Sequence, residues 1–291
     1  MTNRMTSTPP EEQTESKRES NAMPTSTYVH IPTMVAYLQM VRPTSLLDVG
    51  LGNGKIGFLA RDLLDVMLGQ RYRKEDWKVR IDGIEIFEDY IQEHQRAIYD
   101  NIYIGDAIEL MDKLGIYDLV LLCDVVEHFK EVEARELIHK CFDHCRSHVI
   151  VSIPLGENWT QSAIYGNPHE EHHSFWSLDE FEPVAESKAY FTFPQIGEYG
   201  CFLIKKEDYL YHRWEIAADR LFAEGKQEEA LQGLKGSLAD FGPSVKGEYL
   251  LVDLLLKTRR IEEAIDRLRT IQTDFPDDRL AKQYIETLQL V

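Results

Sequence analysis

Residues 46–57, LLDVGLGNGKIG, decide the fold of this chain. An apolar run ends near Asp48 and passes into a turn with glycines at three alternate positions, Gly50, Gly52 and Gly54. Glycine takes positive φ values without a Cβ penalty and lets the backbone approach a ligand closely. A helix after the turn offers unpaired N–H groups to a polar or anionic group, and Asp48 can meet a cationic one. The stretch therefore predicts a strand, a ligand-binding turn and a helix, with a G-x-G-x-G spacing unlike the G-x-G-x-x-G of dinucleotide sites.

Apolar strands alternate with helical patterns from this stretch onward. The predicted strands are 46–49, 79–84, 102–104, 119–123 and 149–153, the last ended by Pro154, and the predicted helices are 34–41, 55–68, 88–98 and 131–145. This order is typical of a doubly wound, mainly parallel α/β sheet, whose ligands sit at the carboxyl ends of the strands. Segments 190–193 and 200–204 flank a turn and predict an antiparallel hairpin.

The chain divides into three parts by composition. Residues 1–27 are rich in Thr, Ser, Pro, Glu and Asn, and we expect a disordered tail there. Residues 28–206 form the sheet domain, and 207–291 have helical character. Within the last part EEAL at 228–231 recurs as EEAI at 262–265, a 34-residue period that predicts a tetratricopeptide-like module. Chance similarity between ordinary helical hairpins is the alternative. Two repeats are too few for independent stability, so we expect the module to dock on the sheet domain or on another chain.

Charge and composition narrow the function classes. The chain carries 50 acidic against 32 basic side chains, a formal net charge of −18. This charge opposes the phosphate contacts on which nucleic-acid affinity rests, so a nucleic-acid partner is not expected. No apolar run approaches the ~18–20 residues of a membrane span, and no hydrophobic signal core is present near the N-terminus. The four cysteines lack zinc-ribbon spacing, so we expect buried free thiols in a cytoplasmic protein.

Carboxylates follow two further predicted strands. Glu85 comes after the second strand, where it can accept hydrogen bonds from both ribose hydroxyls of a nucleoside or cap the next helix. Asp106 comes after the third strand, where it can accept a bond from an adenine amine or act as a helix N-cap, and these two roles are compatible. Together the two carboxylates indicate a nucleoside-containing ligand.

Four segments in order, LLDVGLGNG, IDGIEI, IGDAIEL and YDLVLLCDVVEHF, resemble the class I S-adenosylmethionine-dependent methyltransferases over roughly residues 30–205. The resemblance implies a seven-stranded sheet with an antiparallel terminal hairpin. It assigns to the cofactor the positions Asp48, Gly50, Gly52 and Gly54 for methionine, Glu85 for ribose, Asp106 and Ala107 for adenine, and Asp124 at the end of the fourth strand. Such an enzyme aligns a nucleophile with the methyl group and, where needed, removes its proton.

The segment DVVEH at 124–128 carries candidate catalytic and metal-binding groups. Side chains three and four residues apart share a face if the segment turns helical. It resembles methyltransferases of ubiquinone biosynthesis and of small-RNA 3′ ends, which use a metal here. Asp124, Glu127, His128 and the later His173 are therefore candidate ligands for a divalent metal ion, and Asp124 and His128 are candidate catalytic residues. In other family members the Glu-His pair only rigidifies the loop, and that alternative stays open.

Residues 155–183 form a long connection after the fifth strand, and such loops are often functional. Because the loop can fold over the methyl group, we expect a general base or metal ligand among His169, Glu170, His172 and His173. Its aromatic candidates for stacking on a sugar or ring are Trp159, Tyr165 and Trp176. The loop resembles methyltransferases encoded with bacterial surface-saccharide genes. The alternative is a structural loop, in which Ser177 and Glu180 form a capping box.

The sequence thus predicts an S-adenosylmethionine-dependent methyltransferase that methylates an oxygen of a small molecule or saccharide, with a divalent metal ion as a second candidate cofactor. The alternatives are an RNA-terminus methyltransferase, a protein methyltransferase, and a scaffold that only holds the cofactor. In the last two, the helical repeats would bind a protein partner.

Overall fold

The computed structural model describes residues 25–164 and 166–289. Most of the predicted tail, residues 1–24, and the stacking candidate Tyr165 lie outside the described residues. The chain forms two compact units, with the boundary between Lys206 and Glu207. Each unit is described by itself below.

The first unit is built on one seven-stranded sheet in the order β3-β2-β1-β4-β5-β7-β6. Its strands are β1 (Ser45–Val49), β2 (Arg80–Glu85), β3 (Asn101–Ile104), β4 (Tyr117–Cys123), β5 (Cys145–Leu155), β6 (Ala185–Phe193) and β7 (Gly197–Lys205). The first five strands pair in parallel, and β7 pairs antiparallel with both β5 and β6. The predicted fold class, a doubly wound parallel sheet that ends in an antiparallel hairpin, is confirmed.

Helices connect these strands. In chain order they are α1 (Ile31–Val41), α2 (Lys55–Ala60), α3 (Glu93–Ile98), α4 (Ala107–Met111), α5 (Glu131–Asp143) and α6 (Leu178–Phe181). The central strand β4 shows why the sheet is the core, because Leu119 through Leu122 are all 0% exposed. A strand buried on both faces needs such an unbroken apolar run.

Several predicted boundaries differ from the observed ones, and two of these differences have a clear physical reason. Strand β5 was expected to end before Pro154 but continues through it to Leu155. Strand β4 pairs with β5 only as far as Ser152, so Pro154 lies where β5 has one neighbour and its missing N–H costs no second ladder bond. The predicted helix 55–68 changes at Arg61 into a π-helical segment, Arg61–Met67. There the buried Arg61 guanidinium forms an ion pair with Asp65, four residues away.

All four cysteines are buried free thiols, as predicted. No described helix is both long and apolar enough to cross a membrane.

The second unit consists of helices packed around their own apolar core. They are α7, which begins at Lys206 and ends at Ala223, α8 (Gln227–Phe241), α9 (Val245–Lys257), α10 (Ile261–Asp274) and α11 (Leu280–Leu288). Leu231, Leu234, Leu251 and Leu268 are completely buried in that core. Helices α8 and α10, which carry the EEAL and EEAI segments, begin 34 residues apart. Their assignment to the tetratricopeptide class, and a role in binding a protein partner, remain predictions.

Candidate functional site

A cleft of about 580 Å³ lies at the edge of the sheet where the parallel strands end. The predicted cofactor residues other than Gly54 line it, among them Asp48, Gly50, Glu85, Asp106 and Asp124. The loop after β5 contributes a second wall, including His169, Glu170, His172 and His173. Parallel topology explains the convergence, because the carboxyl ends of all these strands meet at one edge.

The glycine turn has the backbone geometry that its sequence predicts. Gly50, Gly52 and Gly54 all have positive φ values, of 68°, 51° and 78°. At Gly50 a side chain is excluded for a second reason, since a Cβ there would lie 2.6 Å from Cγ2 of Val125. The turn after β1 thus packs closely against the segment after β4. Gly54 is the N-cap of α2, so the turn leads directly into the helix N-terminus.

Asp48 is a buried carboxyl group at the base of the cleft. It is only 3% exposed, and its Oδ2 accepts a hydrogen bond of 2.6 Å from the Tyr99 hydroxyl. Burial raises the pKa of Asp48 to about 7, the nearby Glu85 carboxyl adds to the rise, and the Tyr99 hydrogen bond opposes it. A cationic ligand group placed here would restore the ionised form.

Glu85 connects the glycine turn to the end of β2. Its Oε2 accepts from the backbone N–H of Gly52 and its Oε1 from that of Phe87, both at 3.0 Å. Burial raises the pKa of this carboxyl group. An ionised carboxylate has about four lone-pair sites, so each oxygen keeps capacity for a ligand hydroxyl.

Asp106 is the N-cap of α4, as one of its two predicted roles requires. Its Oδ1 accepts a 2.7 Å bond from the backbone N–H of Ile108. Both Asp106 and the buried Ala107 line the cleft, so the cap leaves the residue in position for the second role.

Asp124, directly after β4, has a positive φ, which is unusual for a residue other than glycine. Its φ is 53°, and its N–H donates to the carbonyl of Ser152 on the adjacent strand. Its Oδ2 is buried and forms no well-formed hydrogen bond with any residue in the described part of the chain. Burial raises the pKa of Asp124 to about 6, and the nearby hydroxyl groups of Ser26 and Tyr199 and the positive charge of Lys55 oppose that rise. Strained backbone of this kind is often found at functional sites.

Glu127, His128 and His172 form a cluster whose ligating atoms lie within 4.8 Å of one another. Glu127 is 2% exposed, and its buried Oε2 has no hydrogen-bond partner within residues 25–164 and 166–289. Burial, together with the charge of Asp124, raises the pKa of Glu127. Burial, together with the neighbouring His172, lowers the pKa of His128 to about 4, so this imidazole is neutral near pH 7. Two imidazoles beside a carboxyl oxygen without a partner form a donor set that suits a divalent transition metal.

Backbone carbonyl groups orient both imidazoles. Nδ1 of His172 lies 2.7 Å from the carbonyl oxygen of Trp159, and Nδ1 of His128 lies 3.3 Å from that of Glu171. A carbonyl oxygen only accepts, so each Nδ1 carries the proton and each Nε2 keeps a free lone pair. Metal-binding histidines typically donate their other ring N–H to a carbonyl or carboxylate oxygen in this way.

The cluster differs from the predicted metal set, which contained Asp124 and His173 instead of His172. His173 is exposed, and it contacts the cluster residue Glu127 through its backbone N–H, which donates to the Glu127 carbonyl. His169 is also exposed, and its backbone N–H bonds to Asn167. Glu170 accepts a hydrogen bond from the Tyr90 hydroxyl, which holds the loop against the sheet unit.

The aromatic and capping predictions for the loop have mixed outcomes. Trp159 lines the cleft. Trp176 is 3% exposed and donates its indole N–H to Ser174, so it belongs to the core. The capping box was wrong, because the Ser177 side chain makes no cap bond. Glu180 instead forms a two-pronged ion pair with the Arg135 guanidinium.

Four side chains at the site were not singled out from the sequence. Lys55 lies in the cleft with its charge near Asp124, and Phe193 and Tyr199 line the wall that the terminal hairpin forms. His30 stacks on the Tyr199 ring at 5.3 Å. Of these four residues, only Phe193 and Tyr199 could have been placed at the site from the sequence. The turn of an antiparallel hairpin next to β5 has to lie at the edge of the cleft.

Comparisons with known proteins find similarity in fold only. No family model matches the chain, and no curated protein matches it. Among solved structures, magnesium protoporphyrin IX methyltransferase from Synechocystis PCC 6803 with bound SAH covers 67% of this chain and 94% of its own, at 15% identity and a TM-score of 0.41. N-methyltransferase NodS from Bradyrhizobium japonicum WM9 covers 67% and 97%, at 10% identity and 0.42. Human N-acetylserotonin methyltransferase in complex with SAM covers 61% and 51%, at 14% identity and 0.41.

Proposed function

We propose that this protein is an S-adenosylmethionine-dependent methyltransferase that methylates a hydroxyl oxygen of a small molecule or saccharide. The observation that carries the proposal is the convergence of Asp48, Glu85 and Asp106 around the glycine turn. These acceptor groups come from the ends of three successive strands. They match a ligand with an ammonium group, a ribose diol and an adenine amine, which S-adenosylmethionine combines in one molecule.

The transfer step needs little covalent chemistry from the protein. S-adenosylmethionine supplies a methyl group that its sulfonium already activates. The acceptor oxygen forms a bond to the methyl carbon while the carbon–sulfur bond breaks and its electron pair stays on sulfur. Asp124 is the group that we propose takes the hydroxyl proton, at its unpartnered Oδ2. A pKa of about 6 suits a proton acceptor near neutral pH.

We further propose that Glu127, His128 and His172 hold a divalent metal ion. The unpartnered Oε2 of Glu127 and the two oriented imidazoles fit such an ion. When bound, it would supply Lewis acidity, which lowers the pKa of a nearby hydroxyl group. Of the predicted catalytic candidates, we therefore assign Asp124 to proton transfer, and His128 and His172 to metal binding.

Calorimetry with S-adenosylmethionine tests the cofactor directly. Gly52→Arg places a large side chain at a position with positive φ in the turn, and we expect it to abolish binding. Gly115→Arg is the matched control, because nothing lies within 4 Å of a Cβ at Gly115. Equal affinity of the parent and Gly52→Arg for the cofactor would overturn the proposal.

Turnover is tested with methyl-labelled cofactor and fractionated glycan and small-molecule extracts. A chelator should abolish label transfer, and added Mn²⁺ or Mg²⁺ should restore it. Transfer that a chelator leaves unchanged would remove the metal from the proposal but not the methyltransferase activity. Cofactor binding without transfer to any fraction, together with tight binding of a protein, would favour the scaffold alternative.

A further inference from the structure

One wall of the cleft is aromatic and lies next to Asp124. The Trp159 ring packs edge-on against Phe193 at 5.2 Å, and both lie near the Tyr199 ring, at 6.3 and 6.4 Å. All three side chains line the cleft. The hairpin explains their meeting, because β6 ends and β7 begins at the edge where the parallel strands end. The absence of a side chain at Gly197 leaves room for Trp159, since a Cβ there would lie 2.8 Å from the indole Nε1.

Polar atoms beside this wall lack partners. Tyr199 is 2% exposed, and its hydroxyl faces the Asp124 carboxyl and the Ser152 hydroxyl without a well-formed hydrogen bond to any described residue. Oδ2 of Asp124 is likewise unpartnered. A buried polar group without a partner costs free energy, which a ligand can recover by bonding to it. A hydroxyl group suits both, because it donates to a carboxylate and accepts from a phenol.

The charge of the cleft restricts what can bind there. Among the described residues that line the cleft, two lysines, Lys55 and Lys130, stand against seven carboxyl groups, those of Asp48, Glu85, Asp106, Asp124, Glu127, Glu133 and Glu170. With all seven carboxyl groups ionised, the state that bound cations favour, and with the histidines counted as neutral, the formal charge is −5. The net single positive charge of S-adenosylmethionine and a divalent ion would leave it at −2. An anionic acceptor would therefore meet repulsion even in the fully loaded site.

We infer that the acceptor presents an uncharged, hydroxyl-bearing ring to Trp159 and Phe193, with one hydroxyl bonded between Tyr199 and Asp124, and that the site rejects anions. This inference rests on the proposed function and narrows its substrate class. Phosphorylated and carboxylated acceptors, including RNA ends, are excluded. Tyr199 becomes a binding residue, which positions the hydroxyl whose proton Asp124 takes.

Two fragments of one framework test the charge preference. Benzyl alcohol and benzoate share a ring and a similar size but differ by one negative charge. Their affinities are measured by ligand-observed NMR with the full chain, loaded with S-adenosylhomocysteine, in buffer containing a chelator. We expect benzyl alcohol to bind at least tenfold more tightly than benzoate, and Asp124→Asn to reduce that ratio. Equal or tighter binding of benzoate, or no binding of either fragment, would overturn the inference.

Tyr199→Phe tests the hydroxyl, and Tyr37→Phe is its matched control. Tyr37 is also buried, but its hydroxyl donates to the Cys201 carbonyl outside the cleft. We expect Tyr199→Phe to weaken benzyl alcohol binding at least threefold without lowering Tm, because the lost hydroxyl makes no well-formed hydrogen bond to a described residue. The control should leave fragment binding unchanged. A lowered Tm with unchanged fragment affinity in Tyr199→Phe would make the residue structural.

The affinity for S-adenosylhomocysteine, measured first, separates the two proposals. If the parent does not bind it, the proposed function fails. If it binds and the fragments rank in the opposite order, only the inference about the acceptor fails.

Discussion

Asp48→Asn is expected to remove a pH-dependent loss of stability from the sheet unit. The Asp48 carboxyl is 3% exposed and accepts the Tyr99 hydroxyl at 2.6 Å. Asparagine has nearly the same shape and still accepts that bond, but it cannot ionise. The variant therefore separates the effect of a buried charge on the free energy of unfolding from the effect of changed packing.

The sign and size follow from the shifted pKa. Burial holds the carboxyl group protonated in the folded state over a range in which the unfolded chain ionises. Stability is therefore lost as the pH rises from the unfolded pKa of 3.8 toward the folded pKa of about 7. At 1.36 kcal/mol per unit the full loss is about 4 kcal/mol, of which roughly 3 kcal/mol falls above pH 5.

The assay is urea unfolding of the parent and Asp48→Asn at pH 5 and pH 8, without ligands. From pH 5 to 8 the parent should lose about 3 kcal/mol in free energy of unfolding relative to the variant. Asp118→Asn is the control. Burial of Asp118 is outweighed by hydrogen bonds from Thr44 and the charge of Arg146, so its pKa is lowered and it titrates below this window. Parallel behaviour of the parent and Asp48→Asn would refute the account of Asp48.

Three further predictions follow from the cleft. Cofactor affinity should rise about tenfold from pH 6 to pH 8 as Asp48, with its pKa of about 7, ionises, and calorimetry on Asp48→Asn should show no such rise. His172→Asn should lower Mn²⁺ affinity at least ~10-fold and His173→Asn less than about twofold, as read by paramagnetic resonance; equal losses would contradict the cluster. Gly57→Ala should cost about 3 kcal/mol or more, because its Cβ would lie 2.2 Å from a tyrosine ring, whereas Gly115→Ala should leave Tm almost unchanged.

The sheet was predictable because strand and turn signals are local. The short apolar run before the glycine turn, the acidic residues at the ends of β2 and β3, and the unbroken run of β4 each fix an element within a few positions. The inclusion of Pro154 in β5 could not be predicted from the local sequence, since it depends on where the neighbouring strand β4 ends. The π-helical segment at Arg61 likewise depends on Asp100 and on carbonyl groups of Val79 and Ile98, far away in the sequence.

The choice between His172 and His173 shows a second limit of sequence reasoning. Adjacent residues on an extended segment point in different directions, so only the pairing of that segment decides which imidazole faces Glu127. The carbonyl of Glu127 accepts from the N–H groups of His173 and Ser174, and the Trp159 carbonyl orients His172. None of these backbone contacts can be recognised from the sequence. His30, which stacks on Tyr199 across 169 positions, carried no signal at all.

The cleft contains several carboxyl groups whose ionised forms are disfavoured by burial in the absence of a ligand. Asp48, Asp124 and Glu127 all have raised pKa values. The positive charge of Lys55 partly offsets the rise in the pKa of Asp124. Such an arrangement lowers stability and is relieved by cations. The ammonium and sulfonium of the cofactor and a divalent metal ion each supply positive charge. Binding of each should therefore release protons and raise Tm together, whereas a cleft built for an anionic ligand would take up protons on binding.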